Sequence, residues 1–245
     1  LWEAKPLESR GISVFKRLLI DEKTQMSDLT HRLLDLAWEN YRVKQLGMEN
    51  RGSTGRGISP AYCDETGQWQ IFYQQFLDDR SKFKLALQGR TQRALDTIRY
   101  VCKVNELDWS EFFSTLSVAE NQANQEAIDD GIFHKEEFNF HNFMGKEPFT
   151  LNFDYLEEVY WESGKQLVGC IGDIRNELLK NKSQSKSIVA EFGQAYWLDK
   201  RHGFTPNVTA SHTTTSELFA SGGIPVQQVT TIGCCKAYDT KVGTH

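Results

Sequence analysis

EFGQAYWLDKRHGFTPNVTASHTTTS, from Glu191 to Ser216, is the stretch on which the reading of this chain turns. It follows a short apolar run, Ser187 to Phe192, and strings Gln, Thr, Ser, His and Gly together behind it. In an α/β protein a strand fixes the backbone, and the loop after its carboxyl end offers hydroxyls, amides and free N–H groups to a ligand. The plainer alternative is a connector whose hydroxyls satisfy their own turns. The rest of the chain has to choose between them.

Working outward, Val229 to Tyr238 (VTTIGCCKAY) reads as a buried strand, and Asp154 to Asn181 as a long helix. Strands separated by long helices predict an α/β fold: a mainly parallel central sheet with a mostly helical excursion over about residues 80–185. Upstream, Ser27 or Asp28 can cap a helix carrying Leu29, Leu33, Leu36, Ala37 and Tyr41 at helical spacing. His31 on that helix reads as a surface or boundary residue, and Asp108 as the cap of a further helix.

A second polar concentration lies at Gly47 to Tyr62, GMENRGSTGRGISPAY. Crowded glycines let backbone N–H groups turn toward an anion without Cβ interference, Ser53 and Thr54 add hydroxyl donors, and Arg51 and Arg56 add positive charge. A phosphate cradle and a flexible glycine loop both fit this composition. The spacing is not that of the GxxxxGK[ST] nucleotide loop.

Composition narrows the function classes. The 245 residues are 39% hydrophobic and carry a net charge of −5 without any basic run, which argues against a nucleic-acid binder. No apolar run reaches the roughly 20 residues of a membrane span. Five cysteines without framework spacing suit a reducing, cytoplasmic setting. The sequons at Asn181 and Asn207 then carry no glycans. His134 and His141, with Glu136 and Glu137 between them, lack any further ligand pattern, so no metal is assigned there.

Three stretches resemble one family, the adenylosuccinate synthetases. Gly52 to Tyr62 is similar to the family's G-T-T-G-R-G-I-G-P-A-Y. Glu191 to Gln194 and Val208 to Thr214 are similar to its E-G-A-Q and V-T-S-S-N-T-T, and Lys236 to Gly243 to its K-A-Y-x-T-R-V-G. Because the chain opens at Leu1 and stops at His245 just after an apolar stretch, it reads as a central fragment of one such domain, incomplete at both ends, with residues 68–194 matching weakly.

The resemblance implies a purine-biosynthesis ligase. GTP or ATP phosphorylates O6 of a purine nucleoside monophosphate, and the amino group of L-aspartate displaces that phosphate. It also implies Mg²⁺, held by segments outside this chain, and a cytoplasmic homodimer. No catalytic residue carries over, because the family's catalytic groups lie in parts not matched here. What does carry over is a monophosphate site: Ser53 and Thr54 at the phosphate, Gln194 at the purine and ribose side, Thr209 closing on the phosphate, and Val242 at the ribose.

Departures qualify the resemblance. Gln68 stands where the family has an arginine that reaches the nucleotide across the dimer; another cation, such as Arg80, replaces it or the contact is absent. With His212, Thr215 and Ser216, this change resembles the phage-type branch, which joins aspartate to deoxyguanylate for 2-aminoadenine synthesis; an ordinary inosinate-using enzyme of a divergent lineage is the rival reading. A non-catalytic purine-nucleotide-binding protein or a degenerate remnant is the alternative from another class.

Overall fold

The computed structural model describes residues 1–238. Apolar side chains at helical spacing, not alternating strands, build its interior. Helices α1 (Ala4–Ser9), α2 (Leu29–Asn40), α3 (Ile58–Thr66), α4 (Arg80–Asp96), α5 (Glu106–Ala123), α6 (Gln125–Asp129), α7 (Phe153–Leu167), α8 (Ile174–Ser183) and α9 (Ser216–Gly222) follow one another along the chain. Leu33 and Ala37 of α2, Phe83 and Leu87 of α4, Trp109, Phe113 and Leu116 of α5, and Leu156 of α7 meet in one buried core. Phe76, Phe83 and Trp161 pack ring against ring in it, with centroids 5.1 to 6.0 Å apart.

The expectation of a mainly parallel central sheet is overturned. Among the described residues the one sheet pairs β1 (Ile20–Asp21) with β2 (Ile171–Gly172), parallel and two residues long. A buried strand needs hydrogen-bonding neighbours for its backbone, and the two apolar runs predicted as strands have none. Residues 187–192 are irregular, with Val189 almost fully exposed. So are residues 229–238, where Ile232 and Tyr238 face solvent. The predicted single helix from Asp154 to Asn181 is also broken: α7 ends at Leu167, a short turn leads into β2, and Asp173 caps α8 by accepting the Asn176 backbone N–H at 2.8 Å.

Polar side chains fix how α2, α3 and α4 sit together. Asp28 caps α2 by accepting the Thr30 backbone N–H at 2.7 Å, and Arg90 of α4 pairs with the same buried carboxylate. His31 lies fully buried instead of at the surface. Its Nδ1 accepts the Asp28 backbone N–H at 3.1 Å, which leaves Nε2–H to donate to Asp64 of α3 at 3.0 Å. Arg93 of α4 pairs with the other Asp64 oxygen. Asn105, rather than Asp108, caps α5; Asp108 instead takes Lys44 at 2.6 Å.

Burial raises the Asp28 pKa, but Arg90, His31 and Thr30 outweigh it and hold the carboxylate below its ordinary range. Asp64 behaves likewise: burial raises its pKa, and the bonds from His31 and Arg93 lower it further than burial lifts it. The seam also places the glycine loop. Gly57 precedes α3 at φ +75°, and a Cβ there would stand 2.7 to 2.8 Å from His31 and Arg32 of α2, so only glycine fits.

A candidate anion cleft between two distant loops

The turn from Arg51 to Ser59 and the loop from Gln194 to Thr209 close on one small cleft. Of the residues singled out from the sequence, Ser53, Thr54, Gln194 and Thr209 all line it; Val242 lies outside the described residues. Asp35, Arg51, Asn207 and the first residues of α3 complete the wall. The space holds about 70 Å³, well below the roughly 300 Å³ at which small-molecule pockets begin. It is sized for one polar group of a larger ligand.

Its electrostatics suit an anion. The cleft opens at the N-terminus of α3, where backbone N–H groups are unsatisfied and the helix dipole is positive. Arg51 brings a guanidinium whose nearest carboxylate oxygens, on Asp35 and Glu39, are 3.5 and 3.4 Å away, in ion pairs that make no hydrogen bond. Nη2 and Nε face those two carboxylates, and Nη1 is the guanidinium nitrogen in neither pair. Asp35, the negative group in the wall, is already engaged: it accepts the Ser53 hydroxyl at 2.6 Å and the Gly57 backbone N–H at 3.1 Å.

The four predicted residues play unlike parts. Ser53 commits its hydroxyl to Asp35 and takes the Gly55 N–H at 3.2 Å, so it shapes the loop. Thr54 makes no side-chain hydrogen bond among the described residues and is exposed at the mouth. Gln194 sits at φ +80°, a left-handed conformation that costs a non-glycine residue roughly 1 to 3 kcal/mol and concentrates at functional sites. Thr209 is tied by its backbone N–H to the Leu198 carbonyl at 2.8 Å, which leaves its side chain on the cleft.

Two contacts missed in the sequence hold the site together. Asn207 donates its side-chain amide to the Arg51 carbonyl at 2.7 Å. Asp199, with a side chain shielded from solvent, accepts backbone N–H groups from Arg201, His202 and Thr213 at 2.8 to 3.0 Å, and His212 Nδ1 lies 3.2 Å from it. Burial raises the Asp199 pKa, but the His202, Arg201 and Thr213 N–H groups and His212 together hold it well below the ordinary carboxylate range. Asn207 showed only as a sequon, and Asp199 as one of many acidic residues; neither signal points to a structural staple.

Other sequence-level candidates are engaged elsewhere. Arg56 pairs with Glu120 of α5, as does Arg32. Arg80 is held by Glu157 and Glu158 of α7, so it does not stand in for a cation at Gln68. The described residues contain no group of three or more His, Cys, Asp or Glu side chains placed to hold a metal, and Mg²⁺ is assigned to no residue of this chain. No described helix is long and apolar enough to cross a membrane.

Comparison with known proteins agrees with the motifs. The family model described as adenylosuccinate synthetase matches residues 1–139 and 130–245. Among curated relatives, the adenylosuccinate synthetase of Vibrio vulnificus is 30% identical over 98% of this chain and 44% of its own length. That of Caldicellulosiruptor bescii is 29% identical over 98% of this chain and 45% of its own. A solved structure of fully ligated adenylosuccinate synthetase from Plasmodium falciparum superposes with a TM-score of 0.64 at 19% identity, over 90% of this chain and 40% of that one, a likeness of fold.

Two expectations are corrected. The match is not that of a central fragment recognisable by three motifs around a weakly related middle; relatives align along 98 to 100% of this chain. The chain spans about 45% of the length of those relatives. The phage-type branch finds no support either: the relatives compared, such as those of Corynebacterium jeikeium, Caldicellulosiruptor bescii and Vibrio parahaemolyticus, are adenylosuccinate synthetases. With a family model matched from Leu1 to His245 and its loops facing one another across a single cleft, the chain belongs to the adenylosuccinate synthetase family.

Proposed function

We propose that the cleft receives the phosphate of a purine nucleoside monophosphate, and that the whole protein is a ligase joining L-aspartate to C6 of that purine. The observation that carries this reading is the convergence of Arg51, Thr54, Gln194 and Thr209 on a space the size of one polar group at the N-terminus of α3. Thr54 and Arg51 donate to the phosphate, Thr209 closes on it, and Gln194 faces the nucleoside side. Ser53 fixes the turn to Asp35 of α2 and Asn207 ties the turn to the second loop, so the donors need no rearrangement when the anion arrives.

In this reading the chain binds and orients the acceptor purine. GTP or ATP, Mg²⁺ and L-aspartate are bound by parts of the protein outside this chain, and the protein works as a homodimer. The 6-oxo group is activated by phosphorylation, because oxide is a poor leaving group and phosphate a good one. The test is phosphate release from GTP or ATP by the whole protein. Release should require aspartate together with inosinate or deoxyguanylate, and the more active monophosphate identifies the substrate. Release that ignores aspartate, or none with either nucleotide, would contradict the ligase.

A further inference from the structure

Three polar residues of α2, His31, Asp35 and Glu39, recur four apart and so lie along one face of the helix. Each meets the segment from Arg51 to Asp64, in reverse order along α2: Glu39 at Arg51, Asp35 at Ser53 and Gly57, His31 at Asp64. Glu39 is 9% exposed and, unlike Asp35, does not line the cleft.

Glu39 and Asn207 hold the backbone of one residue from both ends. The Arg51 N–H donates to Glu39 Oε2 at 2.8 Å, and the Arg51 carbonyl accepts the Asn207 side-chain amide at 2.7 Å. Through that residue α2, the glycine-rich turn and the second loop are joined in series. The other Glu39 oxygen, Oε1, stands 3.4 Å from Arg51 Nε and has no hydrogen-bond partner among the described residues. A negative charge behind an anion site repels the anion. What Glu39 contributes to the cleft is therefore its hydrogen bond and not its charge.

We propose that Glu39 is a positioning residue for the cleft, fixing both of its loops to α2 through the Arg51 backbone; this rests on the reading of the cleft as a monophosphate site. Without the Glu39 bond, Asn207 still ties the turn to the second loop, but the joined pair is no longer anchored to α2 at Arg51. Asp35 keeps Ser53 and Gly57 in place, so the turn stays folded. What is released is Arg51 and, through Asn207, the loop carrying Thr209. Both then lose their register with Thr54 and the N-terminus of α3.

Dissociation constants of inosinate and inosine for the whole protein, as wild type, Glu39→Gln, Glu39→Ala, Asn207→Ala and the double alanine variant, test this. Glutamine keeps an oxygen for the Arg51 N–H, and both Glu39 variants lack the charge, so their difference isolates the hydrogen bond. Glu39→Gln should bind inosinate at least as tightly as the wild type. Glu39→Ala should bind it about tenfold more weakly than Glu39→Gln, with inosine unchanged throughout. Because the two bonds act in series, the double variant should stay within about threefold of the weaker-binding single one. A merely structural role would lower unfolding stability without separating inosinate from inosine. Equal inosinate constants for Glu39→Gln and Glu39→Ala would overturn the proposal, as would losses that add, while leaving the monophosphate reading intact. A wild type that does not prefer inosinate to inosine would remove that reading, and the proposal with it.

Discussion

Asn207 reaches Arg51 across 156 positions of sequence, its side-chain amide donating to the Arg51 backbone carbonyl at 2.7 Å. This bond ties the glycine-rich turn to the loop carrying Thr209, and the cleft exists because the two are held together. Asn207→Ala should therefore weaken monophosphate binding about tenfold, the equivalent of ~1.4 kcal/mol, while lowering stability by only about 1 kcal/mol. Titration calorimetry and denaturant unfolding on the same variant check the two numbers; an unchanged affinity would remove the staple from the account.

Gly57 is where the turn presses on α2, with positive φ and no space for a Cβ. Gly57→Ala adds backbone strain of roughly 1 to 3 kcal/mol to an overlap costing about as much again. A loss of about 2 to 6 kcal/mol in unfolding free energy is expected. Gly11, also at positive φ but with open space around it, provides the comparison: Gly11→Ala should cost only the backbone strain.

Arg51 is the cleft's cation, with its guanidinium free of hydrogen bonds. Arg51→Gln should reduce affinity for the monophosphate by about 1.5 to 3 kcal/mol and leave affinity for the corresponding nucleoside within twofold. The wild-type affinity should also fall as salt rises, because the pair is partly exposed. Equal losses for nucleotide and nucleoside would place Arg51 away from the phosphate.

Asp28, Asp64 and Asp199 are all held below the ordinary carboxylate range in the folded protein. A depressed folded pKa contributes stability that is fully present above the unfolded value, about 3.9 for Asp, and is lost as pH falls toward the folded one. Unfolding free energy should be level from pH 7 to about pH 5 and fall steeply below about pH 4. Asp199→Asn should make that fall shallower. A profile that declines above pH 5 would point to other groups.

How much was legible depended on whether chemistry or packing carried the signal. Glycines beside hydroxyls at Gly52 to Gly57 fit a phosphate cradle and a flexible loop alike, and the Gln and Thr of the distant loop fit a site or a connector; it was their resemblance to one family's motifs that joined them. Ser53, Thr54, Gln194 and Thr209 do meet in one cleft. The fold was misread because apolar runs at 187–192 and 229–238 look like strands wherever partner strands exist, and a local run says nothing of partners. His31 was misplaced for a similar reason. Its burial depends on Asp64 and on the arginines of α4, none of which is adjacent in sequence.

The central claim, that the cleft is a monophosphate site, is tested most directly by the dissociation constants of inosinate and inosine for the whole protein, wild type and Thr54→Ala. Inosinate should bind the wild type at least tenfold more tightly than inosine. Thr54→Ala should weaken inosinate by about 1 to 3 kcal/mol and leave inosine unchanged. Equal affinity for the two ligands, or an inosinate constant unmoved by Thr54→Ala, would contradict the account.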